Sequence, residues 1–245
     1  VSRWRLILLP LVVFITGLGV TWALWQHERE LVRKDLLSQF DAVLRDTASR
    51  IELRMYAYEQ MLRSAQSLYA ASGEMSRDDF HDYVASLNLD ANYSGIQSIG
   101  VGQWVPGLSK SDHLLAMRHL GFADYAVQPP GQRENYAPIV QREPNLGGNY
   151  AVLGFDMWSD PARRSAMEQA RDTGAAALSG KVRLTADAEQ DLRSGFLMYL
   201  ALYEHGKRHD SIAARRAHLA GWVYTSFHMK PDGELVWRAA AWTGC

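Results

Sequence analysis

The first apolar run, LILLPLVVFITGLGVTWALW, lies between Arg5 and His27 and carries no charge. As a helix it is about long enough to cross a ~30 Å hydrocarbon core. Trp4, Trp22 and Trp25 stand near its ends, where amphipathic rings favour the membrane interface. Arg3 and Arg5 precede it and a mixed HERELVRK follows, so the positive-inside rule puts residue 1 in the cytoplasm and the chain after about residue 26 outside it. A cleaved signal peptide is the competing reading, but its apolar region would be shorter, and Thr21–Trp25 offers no small-x-small cleavage site. A buried soluble helix is the third, against which the flanking charges and tryptophans argue.

No proline or glycine interrupts the stretch from there to Ser72. Leu37, Phe40, Leu44, Thr47 and Ile51 step by three and four, and Met55, Tyr58, Leu62, Ala65 and Tyr69 continue after one offset. So narrow a stripe predicts a long stalk helix with a coiled-coil seam, hence a parallel homodimer. It equally fits a helix packed along its own domain, and each half can serve one role. Gly73 closes the helix.

Beyond it, the periodicity changes repeatedly. Ser76 with Asp79 resembles a capping box ahead of a short helix marked by Phe80, Tyr83, Val84 and Leu87. GIQSIGVGQWVPG reads as a strand ended by Pro106-Gly107, and Ser111 to Leu120 as a helix. FADYAV and NYAPIV are predicted strands around the turn PPGQ. Asp160, Pro161 and Gly174 mark the two ends of another helix. GKVRLT, the nearly all-apolar GFLMYLALY, a basic helical piece at 213–219, and GWVYTSFHM complete the pattern. The fold class is α+β, with mostly antiparallel sheet and helices on one side.

Lys plus Arg (26) nearly balances Asp plus Glu (27), so no basic field draws the chain to nucleic acid. The single cysteine, Cys245, excludes a disulfide framework and a thiolate zinc site. There is no phosphate loop, no HExxH and no G-x-S-x-G elbow. His205 and His209 lie in the glycine-containing EHGKRH, which reads as a solvated loop rather than a metal site. Asp156 and Asp160 could be a carboxylate pair, but Pro161 starts the helix after them, which favours turn and cap roles. Glu134, in QRENYAPIV, is an exposed edge carboxylate, a partner for Arg133, or a carboxylate at the mouth of an apolar pocket. We expect no cofactor, no metal and no catalytic activity. An extracytoplasmic hydrolase using Asp156 and a histidine is the weakest alternative.

Together YSGIQSIGVGQWVPG, RENYAPIVQREPNLGGNYAVLGFDMWSDPARRSAMEQARDTGAAALSG, GFLMYLALY and HLAGWVYTSFHM resemble the CHASE domain, over roughly residues 50–230. That family comprises extracytoplasmic sensory modules of bacterial and plant membrane receptors, the plant cytokinin receptors among them. The resemblance implies a stalk helix followed by two PAS-like subdomains, the membrane-distal one holding a ligand pocket. It implies a small-molecule ligand, adenine-type or another small organic compound. It also places ligand contacts at Glu134, Tyr136, Thr173, Ser179, Leu197 and Tyr199. For Thr173, Ser179 and Tyr199 a helix end, a turn and a core position remain equal readings. Glu134 is a glutamate where the plant receptors have an aspartate.

The expected organisation is a transmembrane anchor at 1–26, a stalk at 27–72, a sensory domain at 73–230 and a tail at 231–245. Such receptors continue into a second membrane helix and a histidine kinase or nucleotide cyclase, and neither follows in this sequence. The expected function is the periplasmic sensory domain of a single-pass inner-membrane receptor. The alternative is a ligand-free, membrane-anchored dimerisation or adaptor protein.

Overall fold

A single helix, α1 (Trp4–Ser72), takes up the apolar run and the whole stretch free of proline and glycine after it. The structure, a computed structural model, describes residues 4–73, 76–93, 95–144, 152–184 and 194–228. The expected tail at 231–245 lies outside them, and so do most side chains of the expected anchor at 1–26 and the side chain of Leu37. Among the described residues no helix is long and apolar enough to cross a membrane. The chain divides into two compact units, residues 1–56 and 57–245.

In the first unit the stripe of α1 faces solvent, with Phe40, Leu44 and Ile51 exposed by 60 %, 51 % and 41 %. Asp46 and Arg50 pair at 2.9 Å one turn apart. Both are well exposed, so this contact adds little stability. In the second unit the same stripe is covered: Tyr58, Leu62 and Ala65 are buried. The seam therefore serves two surroundings, half bare and half packed.

Gly73, at φ +76°, ends α1 in the left-handed conformation that glycine adopts without strain. Ser76 caps α2 (Arg77–Leu87), its Oγ accepting from the Asp79 N–H at 3.1 Å. After the short α3 (Leu89–Asn92) come β1 (Ile96–Gln103) and β2 (Val105–Pro106), then α4 (Lys110–His119). The strands β3 (Asn135–Tyr136) and β4 (Ile139–Glu143) lead to α5 (Pro161–Thr173). Then follow β5 (Ala177–Leu178), β6 (Val182–Arg183), β7 (Ser194–Tyr203), α6 (Ile212–Ala217) and β8 (Leu219–His228). One antiparallel sheet runs β4-β1-β8-β7-β5, with β6 also paired to β7, and β2 and β3 form a separate ribbon.

The apolar run of β7 is central, and both its faces are covered. Leu197, Tyr199, Ala201 and Tyr203 belong to the cluster under α5, with Trp222 and Tyr224 from β8. On the opposite face the tilted rings of Tyr58 of α1 and Phe227 of β8 pack with centroids 5.1 Å apart, and the Gln66 amide donates to the Ala201 carbonyl at 2.6 Å. Alternation along a strand puts neighbours on opposite faces, so one strand feeds two apolar layers. A second cluster (Val105, Met117, Tyr125, Val127 and Tyr136) lies beside the ribbon.

Three expectations change. FADYAV forms no strand; it folds back after α4 so that Tyr125 and Val127 enter the second cluster. NYAPIV is split between β3 and β4, because Pro138 lacks the N–H a continuous ladder needs. The two PAS-like subdomains give way to one six-stranded sheet with a two-stranded ribbon beside it.

Candidate functional site

The segment ahead of α5 is held by its two aspartates in different ways. Asp156 is fully buried. Its Oδ1 accepts from the Ala137 N–H at 2.8 Å and the Trp158 N–H at 3.1 Å, and its Oδ2 accepts from Arg133 Nη1 at 3.1 Å. Burial pushes its carboxyl upward, while the Ala137 N–H and the Arg133 charge act in the opposite sense. Asp160 caps α5, its Oδ1 accepting from the Ala162 and Arg163 N–H groups at 2.8 and 3.2 Å. Both oxygens of Asp156 are thus engaged in fixing the connector to β3. Gly154, at φ +86°, passes so close to the Ala126 carbonyl that a Cβ there would overlap it. A clamp is what these residues build.

The residues expected to contact a ligand fall into three groups. Leu197 and Tyr199 lie side by side on the buried face of β7 under α5. Ser179 joins them from the end of β5, exchanging hydrogen bonds with Leu197: Ser179 N–H to the Leu197 carbonyl at 2.8 Å, and Leu197 N–H to Ser179 Oγ at 2.9 Å. Tyr136 is buried in the second cluster, its hydroxyl donating to the Gly131 carbonyl at 2.9 Å and accepting from the Arg133 N–H at 2.7 Å. Glu134 and Thr173 are exposed. Thr173 closes the end of α5, its hydroxyl donating to the Gln169 carbonyl at 2.7 Å. Of the readings of Glu134, the pairing with Arg133 is not formed, since Arg133 pairs with Asp156.

The space beneath α5 is well filled. The Tyr199 hydroxyl points to Met157 Sδ at 3.6 Å, and the Met157 methyl occupies the place where a Cβ on Gly102 would stand. Burial pushes the Tyr199 phenol upward. The indoles of Trp104, Trp158 and Trp222 pack with centroids 4.9 to 5.7 Å apart, and Trp222 Nε1 donates to the Met167 carbonyl at 3.0 Å. Arg164 and Arg171 of α5 lie over the Trp158 ring. A cleft of about 200 Å³ opens elsewhere, between α2–α3 and the β1–β4 edge, and His81, Leu89, Gln97 and Glu143 are among its lining residues. It includes none of the six expected contacts.

The sequence reading missed Arg163, whose side chain is only 3 % exposed. The only signal was the pair Arg163-Arg164 at the start of a helix, where a cation opposes the dipole. EHGKRH forms a loop in which the His209 ring stacks on Tyr203 at 4.8 Å. Among the described residues no group of His, Cys, Asp or Glu is arranged to hold a metal ion.

The chain is similar to hybrid signal transduction histidine kinase A of Dictyostelium discoideum, with 26 % identity over 243 residues. The match covers 91 % of this chain but 11 % of that protein's length. The CHASE domain family matches over residues 73–235, which span the sheet, the connector clamp and α5. By that match, the chain belongs to the CHASE domain family, the extracellular sensory domains of signal-transduction receptors.

Proposed function

We propose that this chain binds a small organic molecule outside the cytoplasm and reports it through α1. The observation that supports this most directly is the sheet itself. Its strands β7 and β8 carry the α5-side cluster on one face and the packed half of α1 on the other. A molecule lodged under α5 would press on the same strands against which α1 rests. The ligand must bind one arrangement of that sheet and helix more tightly than another, since equal affinity shifts nothing. On this reading Leu197, Tyr199 and Ser179 line the site from β7 and β5. Tyr136, Glu134 and Thr173 stand at its margins. The apolar run before His27 anchors the chain in the inner membrane, and the bare seam of α1 pairs two copies in parallel. Residues beyond this chain would carry the output, for which the histidine kinase relative is the precedent.

A second reading has one observation in its favour. Met157 and Tyr199 fill the space under α5, as in a domain that serves for dimerisation and takes no ligand.

A thermal-unfolding titration of the full chain separates the two. Adenine-type compounds, nucleobases, amino acids and organic acids would be added in turn. A ligand at a hundredfold excess over its dissociation constant stabilises by about 2.7 kcal/mol. We expect a saturable rise in the midpoint with at least one compound, weakened by Tyr199→Phe or Glu134→Ala. A well-folded chain that responds to none of them would leave the dimerisation reading standing.

A further inference from the structure

Arg163 is a cation in a place that disfavours one. It follows the cap Asp160 and Pro161 in the first turn of α5, where unpaired N–H groups make the helix end electropositive. Its side chain is 3 % exposed. Nη2 donates to the Arg183 carbonyl of β6 at 2.7 Å, and the guanidinium carbon lies 4.9 Å above the Phe155 ring. Among the described residues its Nε has no hydrogen-bond partner. The carboxylate paired with it is Asp160, whose Oδ2 stands 3.7 Å from Nε, beyond hydrogen-bond reach. The other oxygen of Asp160 already caps two backbone N–H groups.

A buried guanidinium so incompletely met costs stability unless an anion completes it. What surrounds it defines the anion. The Tyr199 hydroxyl lies within side-chain hydrogen-bonding reach of Arg163, and its own acceptor among the described residues is the Met157 sulfur at 3.6 Å. The Tyr224 phenol feels Arg163 as well. Phe155, under the guanidinium, and Leu197, in the same cluster as Tyr199, are apolar. A planar two-oxygen group fits a guanidinium fork better than a spherical ion does. An apolar remainder fits the aromatic and aliphatic lining.

We propose that Arg163 and the Tyr199 hydroxyl form the head-group end of a binding site for a small organic carboxylate, set between α5 and β7. This rests on the sensory reading above and narrows its ligand to an anionic class. The carboxylate accepts from Nε of Arg163 and from the Tyr199 hydroxyl, and in doing so supplies the acceptor that Nε lacks.

The test compares benzoate with benzamide, which have the same shape but differ in charge, on the full chain by thermal unfolding. Sodium chloride at equal ionic strength is the blank. Benzoate should raise the midpoint saturably and benzamide should not. Arg163→Lys and Arg163→Met should each weaken the benzoate response at least tenfold. Equal effects of the two probes, no effect of benzoate, or an undiminished response in folded Arg163→Met would each overturn the proposal. The comparison within the unsubstituted chain decides the charge question even if Arg163→Met fails to fold. If neutral compounds raise the midpoint and benzoate does not, the carboxylate site falls and the sensory reading survives. If no compound of either class acts, both fall.

Discussion

Asp156 caps its own turn and joins to it two parts of the chain that no local rule would bring there. One carboxylate receives the Ala137 N–H, the Trp158 N–H and the Arg133 guanidinium, so a single side chain fixes the strand, the turn and the arginine loop. Replacing it by alanine leaves two backbone N–H groups and a partly buried charge without their acceptor. Each orphaned buried donor costs about 1–3 kcal/mol. We expect Asp156→Ala to lose about 2–4 kcal/mol in urea unfolding, with Asp156→Asn in between. A loss below about 0.5 kcal/mol would show that the clamp is redundant. Glu134, beside the arginine of this clamp, is exposed. Adjacent charges in a sequence are thus poor guides to pairing, since the partner is set by which way the strand faces.

At the scale of elements, the signals that could be read were the local ones. Asp160, Pro161 and Gly174 bound α5 as their chemistry dictates, with Gly174 at φ +71°. Ser76 caps α2 in the same way. The unbroken apolar run of β7 announced a strand covered on both faces. FADYAV was illegible because its packing partners decided it, whereas the split of NYAPIV had a signal in Pro138. Pro138 bridges to Asp156, and Tyr125 is drawn into a cluster built by α4 and the ribbon. Tyr199 had a core position among its readings, and it is buried. Arg163 was not readable as buried, because β6 covers it and nothing in a helix sequence shows what will lie upon it. The stripe of α1 gives the element-scale prediction. Phe40, Leu44 and Ile51 are bare in the single chain, and a seam of this spacing packs against a second copy. Leu44→Glu with Ile51→Glu should abolish dimers of the full chain in sedimentation or crosslinking and leave its domain folded. A dimer that persists unchanged would place the contact elsewhere.

For the molecule as a whole, the contents of the space under α5 decide how it would behave as a detector. Met157 sits there already, beneath the Tyr199 hydroxyl and against the backbone of Gly102. For any incoming molecule the chain is then its own competitor. Under the proposed binding, the observed affinity would be the intrinsic one reduced by the fraction of chains in which that thioether has stepped aside. On the proposed binding reading, recognition and sensitivity would be written in different residues. Arg163, Tyr199 and Leu197 would choose the compound, and Met157 would set the concentration at which it registers. Met157→Ala should shift the response to lower concentrations while leaving the ranking of compounds as it was. An unchanged midpoint would mean that this side chain never has to move. Otherwise such a receptor could be retuned to a scarcer or more abundant supply of one compound by changing a single tethered occupant.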